Sequence, residues 1–300
     1  MKAVAALALA LLATGCERNP TPAASAGRYM LGQPYAMGGV WSYPREDFAL
    51  DEAGIAAVLP RGMAGRRTAN GETYDPDRLL GAHRTLQLPA ILSVWNLENG
   101  REIRIRVNDR GPAQPGRILG LSPRAAQLLG IGPAGAAQVR IRVETAQSRA
   151  LAGSLPDAET PRLALATAPR AAVEREALPP LPGAREAAGR GAAPARPAAV
   201  AVAEAAPELP PDPLPETVVT RYAARGRLVV EAGTFFRRDL AARQAARLAG
   251  LAPRVEPFGG GRQPQYRVVM GPYPDLAAAD RIVAGVLAAG LPEARLLVEQ

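Results

Sequence analysis

The sequence predicts two folded units of different class, a small mainly β barrel and a compact α+β domain, joined by an extended linker. Three observations predict it. Residues 32–145 carry short alternating or apolar β-type runs with one short helix. Residues 146–220 turn to Ala, Pro, Arg and Glu with no sustained apolar period, and residues 221–300 carry strands and helices in the order β-α-β-β-α-β. That order is the split-βαβ arrangement, a four-stranded antiparallel sheet with both helices on one face.

Composition supports the division. Aromatic residues make up 4% of the chain while Gly and Pro number 30 each, so no single core runs through all 300 residues and part of the chain is linker. The formal charge of +8 is carried by arginine, Lys2 being the sole lysine. A basic balance suits an acidic polymer such as nucleic acid, teichoic acid or peptidoglycan. The lack of a basic patch interleaved with aromatics argues against nucleic acid. One cysteine and one histidine leave no metal-ligand set and no internal disulfide, and no phosphate-cradling loop or nucleophile triad is present, so neither metal nor cofactor is expected.

At the N-terminus, Lys2 precedes an apolar run from Ala3 to Ala13. The run is shorter than the roughly 20 residues that span a bilayer but suits a signal-peptide core. It ends in Leu12-Ala13-Thr14-Gly15-Cys16, which resembles the lipobox of bacterial lipoproteins. The resemblance implies a signal peptide over 1–16, a lipid anchor at Cys16 and a tether over 17–31. The mature protein is then exported and held on the periplasmic face of the outer membrane by lipid alone. An ordinary secretory signal with a soluble periplasmic product is the other reading.

Within the first unit, Ala90 to Asn96 and Glu102 to Val107 read as strands, with Asn99-Gly100 between them as a type I′ hairpin turn. Ile103, Ile105 and Val107 share one strand face and Arg104 and Arg106 the other. Ser122 to Leu129 reads as a short helix, with Ser122 as N-cap, Pro123 at the first position and Gly130 past the end. Gln138 to Val143 is a further alternating strand. Many short strands with one small helix suggest a small barrel.

The linker holds Ala-rich stretches such as Ala187 to Val202, interrupted by Pro194, Pro197 and Pro207 onward, and reads as semi-rigid and extended. Order resumes at about Thr217. Gly226–Phe235, Arg254–Phe258, Gln265–Met270 and Ala294–Glu299 read as strands, and Leu240–Gly250 and Leu276–Ala289 as helices. Leu240, Ala241, Gln244, Ala245 and Leu248 form the first helix's expected apolar stripe.

Two dense motif blocks lie in the barrel. One runs Arg67-Thr68-Ala69-Asn70-Gly71-Glu72-Thr73-Tyr74-Asp75 and continues in Ala82-His83-Arg84-Thr85-Leu86. The other runs Trp95-Asn96-Leu97-Glu98-Asn99-Gly100-Arg101 and continues in Arg106-Val107-Asn108-Asp109-Arg110-Gly111-Pro112. Together they resemble the rare lipoprotein A family of septal-ring lytic transglycosylases. The resemblance implies a six-stranded double-psi β-barrel that cleaves peptidoglycan glycan strands and leaves 1,6-anhydromuramic ends. Breaking a glycosidic bond requires a proton for the leaving oxygen as an oxocarbenium-like centre develops, so one carboxyl with a raised pKa can serve as acid and then base. Asp109, at a strand end before Arg110-Gly111-Pro112, is the candidate; the resemblance adds His83 and Glu72 as catalytic residues. Asp75, Arg67 and Asn70 are the candidate substrate-binding groups of the facing loop.

Each candidate also has a plain structural reading: Asp109 as a turn cap, His83 as a hydrogen-bonded residue before a strand, Glu72 as a solvated turn residue. Two departures from the family pattern bear on activity. Ala57-Val58-Leu59 stands where members usually carry Ser-Trp-Tyr, and Gly120 stands where they usually carry Asp before Leu-Ser.

In the last unit, Val230-Glu231-Ala232-Gly233-Thr234-Phe235 and Tyr266-Arg267-Val268-Val269-Met270-Gly271-Pro272-Tyr273 resemble the SPOR domain. This implies binding to glycan strands denuded of stem peptides at the division septum, with Phe235, Tyr266 and Tyr273 as candidate sugar-facing rings and divisome proteins as partners. The leading expectation is an endolytic transglycosylase; the alternative is a catalytically degenerate lipoprotein that binds septal wall without cleaving it.

Overall fold

The computed structural model describes residues 27–132, 135–157, 209–259, 264–292 and 294–299. Cys16 and the lipobox lie outside the described residues, as does most of the Ala/Pro-rich stretch, including Ala187 to Val202.

The first unit carries β1 (Tyr35–Met37), β2 (Val40–Ser42), β3 (Asp51–Val58), β4 (Leu80–His83), β5 (Ala90–Asn96), β6 (Arg101–Asp109) and β7 (Arg117–Leu121). There follow α1 (Pro123–Leu128), β8 (Ala136–Val143) and α2 (Thr145–Ser154). β1 and β2 form a hairpin of their own around Gly38-Gly39, both at positive φ, the backbone a two-residue type I′ turn requires. The next six strands close in the order β3-β7-β4-β6-β5-β8 and back to β3. The β3–β7 and β4–β6 pairs are parallel and the others antiparallel. This is the closed six-stranded double-psi barrel.

Its interior is filled by Leu92, Val94, Ile103, Ile105, Val107, Leu119, Val139 and Ile141, all essentially fully buried. Each large aliphatic side chain so placed contributes about 2 kcal/mol relative to exposure. The alternation of β6 is as expected for Ile103, Ile105 and Val107, and Arg104 is exposed. Arg106 is buried instead of solvent-facing, because it is paired with Glu72. Ser122 caps α1 by accepting a bond from the Ala125 amide at 3.2 Å. The Asn99-Gly100 turn is not type I′. Only Gly100 has positive φ, and the Asn99 side chain donates to the Leu129 carbonyl instead. β5 and β6 are thereby joined by a longer loop latched to the end of α1.

After the undescribed stretch comes β9 (Val219–Thr220), and the second unit then comprises β10 (Arg227–Phe235), α3 (Arg238–Arg247), β11 (Arg254–Phe258), β12 (Gln265–Tyr273), α4 (Leu276–Ala288) and β13 (Arg295–Glu299). The antiparallel sheet has the order β11-β12-β10-β13. α3 and α4 pack Ala241, Leu248, Ala279, Val283 and Val286 on Val230, Val268 and Met270. Leu240, expected in the α3 stripe, is 39% exposed. It lies about 100° around the helix from Ala241, off the edge of the face that meets the sheet.

Residues flanking the undescribed stretch lie on the barrel. Leu151 of α2 and Leu214 join the barrel core, β9 pairs with the edge of β6, and Tyr222 meets Trp95 edge-to-face at 5.2 Å. Apolar side chains in these stretches find a partner surface that periodicity alone does not reveal. The α+β unit is docked as well. Leu297 pairs with Gly54, Arg295 bridges Gly116, and buried Arg117 donates to both Asp280 oxygens at 2.7 and 2.8 Å.

Candidate functional site

The site is built around a break in strand pairing. Val107 pairs with Gly81 and Asp109 with Ala82, so Asn108 is an extra residue in β6. Such a bulge re-aims the side chain that follows it. By simple alternation Asp109 would share the inward face of Val107. The bulge instead sets it beside Ala82, which packs with Leu59, Tyr74 and Leu80 outside the main core.

The loop before β4 holds Asn108 and Asp109 in place. Gly71, at positive φ, lets Thr68–Gly71 close as a turn, and the Ala69 amide donates to Asp109 Oδ1 at 2.8 Å. The Arg110 amide donates to the same oxygen at 2.8 Å, while Oδ2 has no protein partner among the described residues. Burial raises the Asp109 carboxyl above its ordinary range, against the opposing pull of those two amides and of Arg110 and Arg66. An acid with a raised pKa and one free oxygen is what proton donation to a leaving group needs. Beside it Tyr74 is buried, with its phenol pushed up to about 12 by burial and its hydroxyl without a protein partner among the described residues.

Glu72 stands in a different state. Its carboxylate accepts from Arg106 at 2.6 Å, Asn108 Nδ2 at 2.8 Å and Asn70 Nδ2 at 2.8 Å. Burial pushes its pKa up, but the bonds and charge of Arg106, with Asn108 and Asn70, hold it below the usual range. Glu72 is therefore ionised and saturated, and positions the bulge. Asn70, expected to contact substrate, is buried and bonded to Thr68 and Glu72, so it belongs to this support. Asp75 caps its own turn by accepting from the Asp77 amide at 2.9 Å. Arg67 is exposed, with its guanidinium 3.5 Å from the Gly71 carbonyl.

His83 does not join Asp109. Its backbone neighbours the pair Ala82–Asp109, but the next side chain along a strand leaves from the opposite face. The ring Nδ1 accepts from the Thr85 and Leu86 amides at 3.2 and 3.1 Å, which puts the proton on Nε2, 3.5 Å from Glu52. Glu52 also binds Arg295 of the α+β unit. Burial opposes ionisation of Glu52, yet Arg295 and His83 together lower its pKa to about 2. His83 is 4% exposed and opens toward the cleft between the two units. Asp109 and His83, both expected as catalytic residues, are thus not brought together; Arg110 spans the two by donating to the His83 carbonyl at 3.4 Å.

In the α+β unit, Phe235, Tyr266 and Tyr273 lean on the core. The exposed rings on its strands and loops after Gly226 are Phe236 and Phe258. Sequence reasoning missed both, and it missed Trp41, although the doubled aromatic at Phe235-Phe236 is a legible signal, since alternation leaves one of the two outside.

Comparison with known proteins agrees with this architecture. The profile of the lytic transglycolase family matches residues 51–141, and that of the SPOR domain matches residues 224–294. The chain is 42% identical over 112 residues to the endolytic peptidoglycan transglycosylase RlpA of Campylobacter jejuni, covering 37% of this chain and 41% of that protein. It is 42% identical over 109 residues to RlpA of Pseudomonas aeruginosa, covering 36% and 32%, and 38% identical over 122 residues to RlpA of Vibrio cholerae, covering 38% and 46%. The chain spans less than half the length of these relatives. It is an RlpA-like chain, a double-psi barrel of the lytic transglycolase type followed by a SPOR domain.

Proposed function

We propose that the barrel is a lytic transglycosylase acting on peptidoglycan glycan strands. Asp109 Oδ2 delivers its proton to the glycosidic oxygen as the bond from the muramyl anomeric carbon breaks. The muramyl C6 hydroxyl then attacks that carbon and returns its proton to Asp109, closing a 1,6-anhydro ring without water. The observation that carries this reading is the state of Asp109: burial raises its pKa, and Oδ2 has no protein partner among the described residues. The names of the relatives, endolytic peptidoglycan transglycosylases, support it. Incubation of purified sacculi with the protein, read by mass spectrometry, tests it: anhydromuropeptides accumulate if it is right, and no new ends form if it is wrong.

A specific observation favours a second reading, wall binding without cleavage. A Cβ on Gly120 would lie 2.7 Å from Leu59 Cδ2, so an apolar contact fills the place where the resemblance implies an aspartate, and on this reading the barrel holds glycan without cutting it. We further propose export with a lipid on Cys16 in the outer membrane, a preference of the SPOR domain for denuded strands at the septum, and divisome partners. The SPOR match supports the wall assignment. No helix among the described residues is long and apolar enough to cross a membrane.

A further inference from the structure

Five aromatic rings are well exposed among the described residues, and four of them open into one place. Trp41 (48%) and Tyr43 (54%) stand on the barrel side of a cleft of about 740 Å³, and Phe236 (66%) and Phe258 (45%) on the SPOR side. The fifth, Tyr222, lies elsewhere, against Trp95. The whole chain holds two Trp, seven Tyr and four Phe, so this gathering takes a large share of them. Leaving large rings in water forgoes about 2 kcal/mol each, and a cluster rimmed by polar groups marks a binding surface. The volume lies within the roughly 300–1,000 Å³ of ligand sites.

The fold builds this arrangement deliberately. A Cβ on Gly38 would lie 2.0 Å from the Ala113 carbonyl oxygen, so only glycine lets the β1–β2 hairpin seat there. Arg84 fastens it by donating to the Met37 carbonyl at 3.2 Å and to Ala113, and alternation then turns Trp41 outward between buried Val40 and Ser42. On the other side Arg267 stacks on Phe258 at 5.3 Å. The charges around the cleft are largely matched, Arg267 with Glu256 and Glu299, Arg295 with Glu52, Arg45 with Asp47. Flat rings among matched charges suit a ligand with apolar faces and hydroxyl edges, a sugar strand, better than a polyphosphate.

We propose that this cleft is a composite glycan-binding site, in which one strand lies against Trp41 and Tyr43 of the barrel and Phe236 and Phe258 of the SPOR domain at once. The identity of the strand as peptidoglycan rests on the function proposed above. Trp41 and Tyr43 precede the residues matched by the lytic transglycolase profile, whereas Phe236 and Phe258 lie within the SPOR match. The strand would run past His83, whose ring borders the same cleft.

Calorimetric titration of the full-length protein with chitohexaose and with amidase-stripped glycan strands tests this. Trp41→Ala and Phe236→Ala are each expected to weaken binding about tenfold, the size of one lost stacking partner. Trp41→Phe, which keeps a ring, and Tyr222→Ala are expected to bind like the parent. Weakening by Phe236→Ala with none from Trp41→Ala would overturn the proposal, as would equal weakening by Tyr222→Ala or no binding by the parent. Sacculus digestion by the same preparations separates the two readings. Anhydro ends formed without a Trp41 effect on binding remove the composite cleft alone, whereas a Trp41 effect without new ends upholds the cleft and removes cleavage.

Discussion

Leu59 occupies the space that a side chain at Gly120 would need. An ideal Cβ on Gly120 meets Leu59 Cδ2 at 2.7 Å and Cγ at 3.1 Å. Leu59 and Gly120, two of the four positions where the resemblance led one to expect other residues, are therefore one packing event. With Ala82 and Tyr74 they close an apolar patch beside Asp109, and that patch is part of what desolvates its carboxyl.

The contact makes the pair energetically coupled. Gly120→Ala is expected to cost about 1–3 kcal/mol through overpacking, and Leu59→Ala in the same chain to recover part of that cost. A double-mutant cycle by urea unfolding, with a coupling above about 0.5 kcal/mol, is the expected outcome. Additive effects would mean that the two side chains do not share the space.

Glu72 is expected to matter for folding before it matters for chemistry. Its folded pKa lies below its usual 4.5, so its stabilisation is complete above that pH and fades as pH falls below it. Glu72→Gln leaves buried Arg106 without its counter-ion and is expected to cost about 3 kcal/mol at neutral pH, and less at acid pH. Chemical unfolding at several pH values measures it; a loss independent of pH would contradict the assignment.

The pH profile of cleavage should report Asp109. The reaction begins with the protonated acid, so kcat/KM falls as pH rises through the raised pKa of Asp109. Arg66 lowers that pKa by its charge. Arg66→Ala is therefore expected to shift the alkaline limb to higher pH, and a shift to lower pH would rule Asp109 out as the group titrating there.

Much of this was legible in the sequence. The SPOR order was readable because its strands and helices differ in period, and the second helix carries a cap, Asp275, which accepts from the Ala278 amide at 2.7 Å. Asp109 stood out as a carboxylate at a strand end before Arg-Gly-Pro, with a turn cap as its other reading, and its Oδ1 does accept from the Ala69 and Arg110 amides. The orientation of His83 was not legible, since a one-residue bulge at Asn108 decides which face each side chain takes, and bulges leave no periodic mark. Nor was the docking of the two domains. Glu52 and Arg295 are 243 positions apart, and nothing local in either segment signals the other.

That docking has its own pH dependence. Glu52 is held at about 2 by Arg295 and His83 against burial, so the ion pair persists as pH falls below the usual 4.5 and is lost only as pH approaches about 2. Small-angle scattering across this range is expected to show the domains apart only at its acid end. Glu52→Gln should move the separation to neutral pH, and an unchanged profile in that variant would contradict the link.

Everything proposed for cleavage turns on Asp109 as the acid. Burial disfavours its charged form, so Asp109→Asn is expected to melt no lower than the parent at neutral pH, which separates chemistry from folding. The rate of anhydromuropeptide release from sacculi by this variant is the direct measurement: a loss of at least about 100-fold is expected, with sacculus binding retained. Release at the parental rate would contradict it.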